Sequence, residues 1–128
     1  MSIKSSKTLV EEALNLVKTI SPNEALKKME NNQCNLIDIR DEVELQKTGK
    51  IENSFHISRG LLEFSIHPES AYVQNKNLDL NKEIVLFCAA GGRSALAAKT
   101  LEEMGFKNVS HIDGGFGSMK NSGFKIIK

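Results

Sequence analysis

Apolar positions recur along the chain in two rhythms. Over residues 8–19, TLVEEALNLVKT, the side chains Leu9, Val10, Ala13, Leu14 and Val17 fall three and four apart, which predicts an amphipathic helix. Ser21-Pro22-Asn23-Glu24 comes next. A capping serine, a proline at the first helical position and a glutamate at the third predict a second short helix. Its inward residues are Ala25, Leu26 and Met29, and Asn31-Asn32 stops it. Residues 34–39, CNLIDI, read as a strand, and Asp41-Glu42-Val43-Glu44 opens a further short helix that Gly49 closes. Residues 55–58 are a short strand and 61–80 read as mostly irregular. Residues 84–88, IVLFC, are apolar without a break, as a strand covered on both faces of a parallel sheet must be. After the loop AAGGR, the segment SALAAKTLEEM places Leu96, Ala97, Thr100, Leu101 and Met104 on one helical face, with Gly105 as C-cap. Residues 109–112 give one more strand, and DGGFGSMKNSG turns into a last short helix. Strands alternating with helices predict an α/β fold with a mainly parallel sheet. Residues 1–20 read as an N-terminal helical extension and 21–128 as the domain proper.

Composition narrows the function classes. A chain of 128 residues, 40% hydrophobic and 26% charged, is one ordinary globular domain that needs no metal or disulfide staple. Seventeen basic against sixteen acidic residues leave +1, which argues against a protein built to grip nucleic acid or an anionic membrane. Tryptophan is absent and aromatics are scarce, so a base-stacking platform is not expected either. No apolar run approaches a membrane span, and acids interrupt the apolar stretch at the start of the chain, unlike a secretory leader. The expected compartment is therefore the cytoplasm, with reduced thiols. Cys34 and Cys88 form no zinc-ligand spacing with His56, His67 or His111, so no metal is expected. Cys34, between Gln33 and Asn35 at a strand start, reads as structural.

Chemistry concentrates in Cys88-Ala89-Ala90-Gly91-Gly92-Arg93-Ser94. The segment lies where a buried strand ends and a helix begins, the place where open α/β sheets bind ligands. Two glycines let the chain curl so that successive N–H groups face one point near the helix N-terminus, which favours negative charge. A cysteine at the mouth of such a cradle is a candidate thiolate nucleophile. Asp38 and Arg40 alternate onto one side of a strand end, where they read as an ion pair with each other or with Asp41 and Glu44. Asp113-Gly114-Gly115 reads as a tight turn, since a phosphate loop would need a following Lys-Ser/Thr.

Taken together, these segments resemble the rhodanese family. The matching residues are Leu36-Ile37-Asp38-Ile39-Arg40, Glu44, Gly49-Lys50-Ile51, Ile57-Ser58-Arg59-Gly60 with Leu62-Glu63-Phe64, the Cys88–Ser94 loop, and His111-Ile112-Asp113-Gly114-Gly115-Phe116. The resemblance implies a five-stranded, mainly parallel sheet flanked by helices, with an extra N-terminal helix. It also implies sulfur transfer through a persulfide on Cys88, without metal or cofactor. Backbone N–H groups of Ala89, Ala90, Gly91, Gly92, Arg93 and Ser94 would hold the terminal sulfur, and Arg59 would stand at the rim. Partners would be a small donor such as thiosulfate and a cyanide or thiol acceptor, with a sulfur-accepting protein as a further candidate; neither nucleic acid nor membrane is expected. Lys50 replaces the family's usual His, Glu52-Asn53 its Pro-Gly and Met119 its Trp, departures in turns and packing. Two rivals share the fold: a non-catalytic or regulatory binding module, and a relative of dual-specificity phosphatases and arsenate reductases. Regulatory modules typically lose the cysteine. The phosphatase branch has its arginine six positions after the cysteine, where this chain has Ser94; Arg93 keeps the sulfur-transfer spacing of five.

Overall fold

A computed structural model describes residues 2–128. In chain order, helix α1 (Ser6–Leu14) leads into strand β1 (Lys18–Ile20), α2 (Pro22–Glu30), β2 (Cys34–Asp38), α3 (Glu42–Thr48) and the short strands β3 (Lys50–Ile51) and β4 (Phe55–His56). A 3-10 turn at Arg59–Leu61 runs into α4 (Leu62–Ser65), then α5 (Ala71–Lys76), β5 (Glu83–Phe87), α6 (Gly92–Met104), β6 (Val109–Ile112), α7 (Gly115–Met119) and β7 (Ile126–Ile127). Five strands form one parallel sheet in the order β1-β6-β5-β2-β4, and β3 pairs antiparallel with β7 beside it.

The punctuation read from the sequence holds. The Ser21 side chain accepts the Glu24 N–H with Pro22 at the start of α2, and Gly49 and Gly105 end α3 and α6 with positive φ. The expected fifth strand comes from an unexpected place. The helix predicted over 8–19 stops at Leu14, and the Ala13 carbonyl accepts N–H groups of both Leu16 and Val17 in a turn. The chain then extends as β1 along the open edge of β6, pairing Lys18 with Ser110, Thr19 with His111 and Ile20 with Ile112. Residues 1–20 are thus more than a helical extension: their last three residues belong to the sheet, because Thr19 and Ile20 are β-branched and a sheet edge is there to satisfy their backbone. Helices α4 and α5 also replace part of the segment expected to be irregular.

Alternation along β5 divides the core. Ile84, Leu86 and Cys88 pack with Ile37, Ile39, Ala97, Ala98 and Leu101 on the side of α4, α5 and α6. Val85 and Phe87 pack with Ala25, Leu36, Ile112, Phe116 and Met119 on the side of α2 and α7. Met119 is fully buried there; Met104, expected inward, is 40% exposed near the end of α6. Helix α1 lies against α6.

Candidate functional site

β5 delivers Cys88 to the end of the sheet, and Gly91, at a φ of +109°, bends the chain into α6. A side chain would be strained at that φ, which is why glycine stands there. The bend wraps the loop around the sulfur. Cys88 Sγ accepts the Gly91 N–H at 3.1 Å and the Ser94 N–H at 3.4 Å, and Ser94 Oγ lies 3.5 Å away. These N–H groups sit at the N-terminus of α6, where the helix leaves donors unpaired and favours an anion. Of the loop residues expected to bind, Gly91 and Ser94 contact the sulfur. Cys88 itself departs from the expectation of an open loop mouth: it is 1% exposed and belongs to the core beside Leu86 and Ile39. The reason is local, since the apolar run continues through Cys88 and the Gly91–Ser94 turn folds over it.

The Gly114-Gly115 turn explains how the loop is held. Phe116 N–H donates to the Cys88 carbonyl at 2.8 Å and Gly117 N–H to the Ala89 carbonyl at 3.1 Å. Gly115 has a φ of +55°, and a Cβ there would collide with the Cys88 carbonyl oxygen. The turn read from the sequence therefore doubles as a backbone clamp on the cysteine.

Arg93 does not enter the cradle. Its guanidinium makes two bonds to Glu44, at 2.8 and 2.9 Å. Glu44 also accepts the Asp41 N–H at 2.8 Å, and the Arg93 bonds hold its carboxyl down at about 2 against the opposing effect of burial. The same pairing raises the Arg93 pKa. Asp38 and Arg40 form a buried ion pair, with Nη2 to Oδ2 at 2.8 Å. Arg40 further donates to Thr48 Oγ1 and the Gly49 carbonyl, and stacks 4.0 Å from the centre of the Phe116 ring. A buried charge needs such a full set of partners, and the set ties the β2 end to α3 and α7. Arg59 pairs with Glu63 at 2.8 Å and reaches Thr100 Oγ1. Cys34 lies on β2, at the far end of that strand from Asp38; burial pushes its thiol up to about 11, with Glu83 acting in the same direction, which suits a structural thiol.

From the sequence, His111 has no part in the site, although it lies in a segment that carries the family resemblance, and Thr19 is not singled out. His111 Nδ1 lies 2.9 Å from Ser94 Oγ, and its Nε2 lies 2.9 Å from Thr19 Oγ1. Burial lowers the imidazole pKa, and Asp113 partly opposes that. The one available signal was a histidine inside an otherwise short buried strand, and strand register, which brings Thr19 opposite it, is not written in the local sequence.

A model of the rhodanese-like domain family matches residues 21–122. Among solved structures, a Rhodopseudomonas palustris protein described as of unknown function and a possible tyrosine phosphatase superposes with a TM-score of 0.86 at 38% identity, covering 99% of this chain and 98% of its own. The polysulfide-sulfur transferase homodimer of Wolinella succinogenes gives a TM-score of 0.73 at 36% identity, over 94% of this chain and 85% of its own. A Chlamydia felis protein named tRNA uridine(34) hydroxylase is 35% identical over 99 residues, 77% of this chain. The present chain spans 30% of that relative's length.

Proposed function

This chain belongs to the rhodanese-like domain family, and from that footing we propose that it is a sulfurtransferase working through a persulfide on Cys88. The observation that carries the reading is the pair of N–H bonds from Gly91 and Ser94 to Cys88 Sγ, set at the N-terminus of α6. The Cys88 thiolate attacks the outer sulfur of a donor such as thiosulfate; a new S–S bond forms, the donor's S–S bond breaks, and sulfite leaves with its electron pair. A cyanide or thiol acceptor then takes the outer sulfur and returns the electron pair to Cys88. Two easier displacements replace one transfer. The cradle supplies hydrogen-bond donors where anionic sulfur develops, so the chemistry needs no further group.

The retained cysteine and cradle favour catalysis over a purely regulatory module. The description of the Rhodopseudomonas palustris relative favours a phosphatase instead. Arg93 speaks against that: it lies five positions after Cys88 and is committed to Glu44. Assaying thiosulfate:cyanide transfer beside aryl phosphate hydrolysis tests the choice. Sulfur transfer that disappears in Cys88→Ser, with negligible phosphate release, supports the reading; faster phosphate hydrolysis overturns it. The named Chlamydia felis relative favours a second reading, in which the chain is the counterpart of a module in a tRNA-hydroxylating protein. Hydroxylation of tRNA uridine by this chain with molecular oxygen supplied as the oxidant, in the absence of sulfur transfer, would establish that reading in place of the first.

A further inference from the structure

Cys88 is almost wholly buried, yet as a nucleophile it must lose a proton, and the side chain hydrogen-bonded to its sulfur is a hydroxyl. From there a continuous path leads outward. Ser94 Oγ stands 3.5 Å from Cys88 Sγ and 2.9 Å from His111 Nδ1, and His111 Nε2 stands 2.9 Å from Thr19 Oγ1. Ser94 and His111 are buried, whereas Thr19 is exposed on the edge strand. We propose that Ser94, His111 and Thr19 form a relay of positioning residues that conducts the Cys88 proton to solvent and then reverses its hydrogen bonds to hold the sulfur anion. The inference rests on Cys88 being the reacting sulfur.

The proton inventory closes at every atom. In the thiol state S–H donates to Ser94 Oγ, Ser94 O–H donates to His111 Nδ1, and His111 Nε2–H donates to Thr19 Oγ1. On ionisation the thiol proton moves to Ser94 Oγ and the former Ser94 proton to Nδ1. The Nε2 proton passes to Thr19 Oγ1, whose own proton leaves to solvent. Ser94 O–H now donates to the sulfur anion, Nδ1–H to Ser94 Oγ, and Thr19 O–H to Nε2. One proton has left and His111 has exchanged tautomers without acquiring charge. A neutral imidazole can do this because one nitrogen donates while the other accepts. Burial favours that neutral state, and Asp113 is the charged group whose field reaches the ring. The Gly91 carbonyl, 3.3 Å from Ser94 Oγ, competes for the hydroxyl proton at a longer distance than His111.

The test uses the full chain with Cys34→Ser, following Cys88 ionisation by thiolate ultraviolet absorbance and His111 by nitrogen-15 shifts in one pH titration. The expected result is an Nε2–H tautomer giving way to Nδ1–H with the same midpoint as the thiolate signal. Ser94→Ala should uncouple the two and slow iodoacetamide alkylation of Cys88 about tenfold, the effect of one hydrogen bond to a charged group, and Ser94→Thr should recover most of that rate. A His111 tautomer that stays fixed while the thiolate forms overturns the relay, as does a tautomer change that persists in Ser94→Ala. A Cys88 that never ionises while the protein is folded overturns it too. Failure to load sulfur from thiosulfate would count against the sulfur-transfer reading alone, because this titration needs no donor.

Discussion

A single methyl group at Gly115 would stand against the Cys88 carbonyl oxygen and 2.9 Å from the Ala89 carbonyl carbon, on a backbone already at a φ of +55°. Space and conformation both demand glycine there. Gly115→Ala should therefore cost roughly 1–3 kcal/mol of stability, the scale of a residue forced into a disfavoured backbone region, and should lower sulfur transfer with it. Urea denaturation gives the first quantity and the thiosulfate:cyanide assay the second; an unchanged denaturation midpoint would mean that the clamp on Cys88 yields. At this scale much of the site is legible in the sequence. The order Cys, Gly-Gly, Arg, Ser after an apolar run marks the candidate nucleophile and the loop that wraps its sulfur. What the residues alone do not disclose is direction. Arg93 turns outward to Glu44, a partner 49 positions away in the chain, and Cys88 is closed into the core by the Gly91–Ser94 turn that follows it.

Helix α3 is fastened at both ends. Arg40 binds Thr48 and Gly49 at its C-terminus, while Glu44 in its first turn binds Arg93. Glu44 has an ordinary pKa near 4.5 and a folded value of about 2. Its folded pKa is depressed, so its contribution is complete above about 4.5 and is lost as pH falls toward about 2. Both partners are partly exposed, so solvent screening limits the pair to about 1 kcal/mol. Glu44→Gln should lower the urea midpoint at pH 6, with a smaller gap to wild type at pH 3. A gap that stays equal at both pH values would remove Glu44 from the acid sensitivity of the fold. Elements were legible where caps mark them, as at Ser21, Asp41 and Gly105. They were hidden where pairing alone creates them: β1, β3 and β7 have two or three residues each, too few for a period to show.

For the whole molecule, the parallel α/β architecture follows from strands alternating with helices, but the partner of the β6 edge does not. The edge is occupied by Lys18–Ile20, and α1 lies against α6 close enough for Val10 to stand near Gly92. The N-terminal segment thus joins the same body as the site. Deleting residues 2–20 should expose the β6 edge and lower the melting temperature by several degrees or cause aggregation, the expected fate of an uncovered strand. A truncated chain that melts like the full one would make that segment a true appendage. The same integration places Cys88 at the meeting point of β5, α6 and the α7 turn, and the account stands or falls on that sulfur. Intact-mass measurement before and after thiosulfate tests it most directly. The account predicts the gain of one sulfur atom in wild type and in Cys34→Ser, removed by cyanide and absent in Cys88→Ser; an adduct that persists in Cys88→Ser would contradict it.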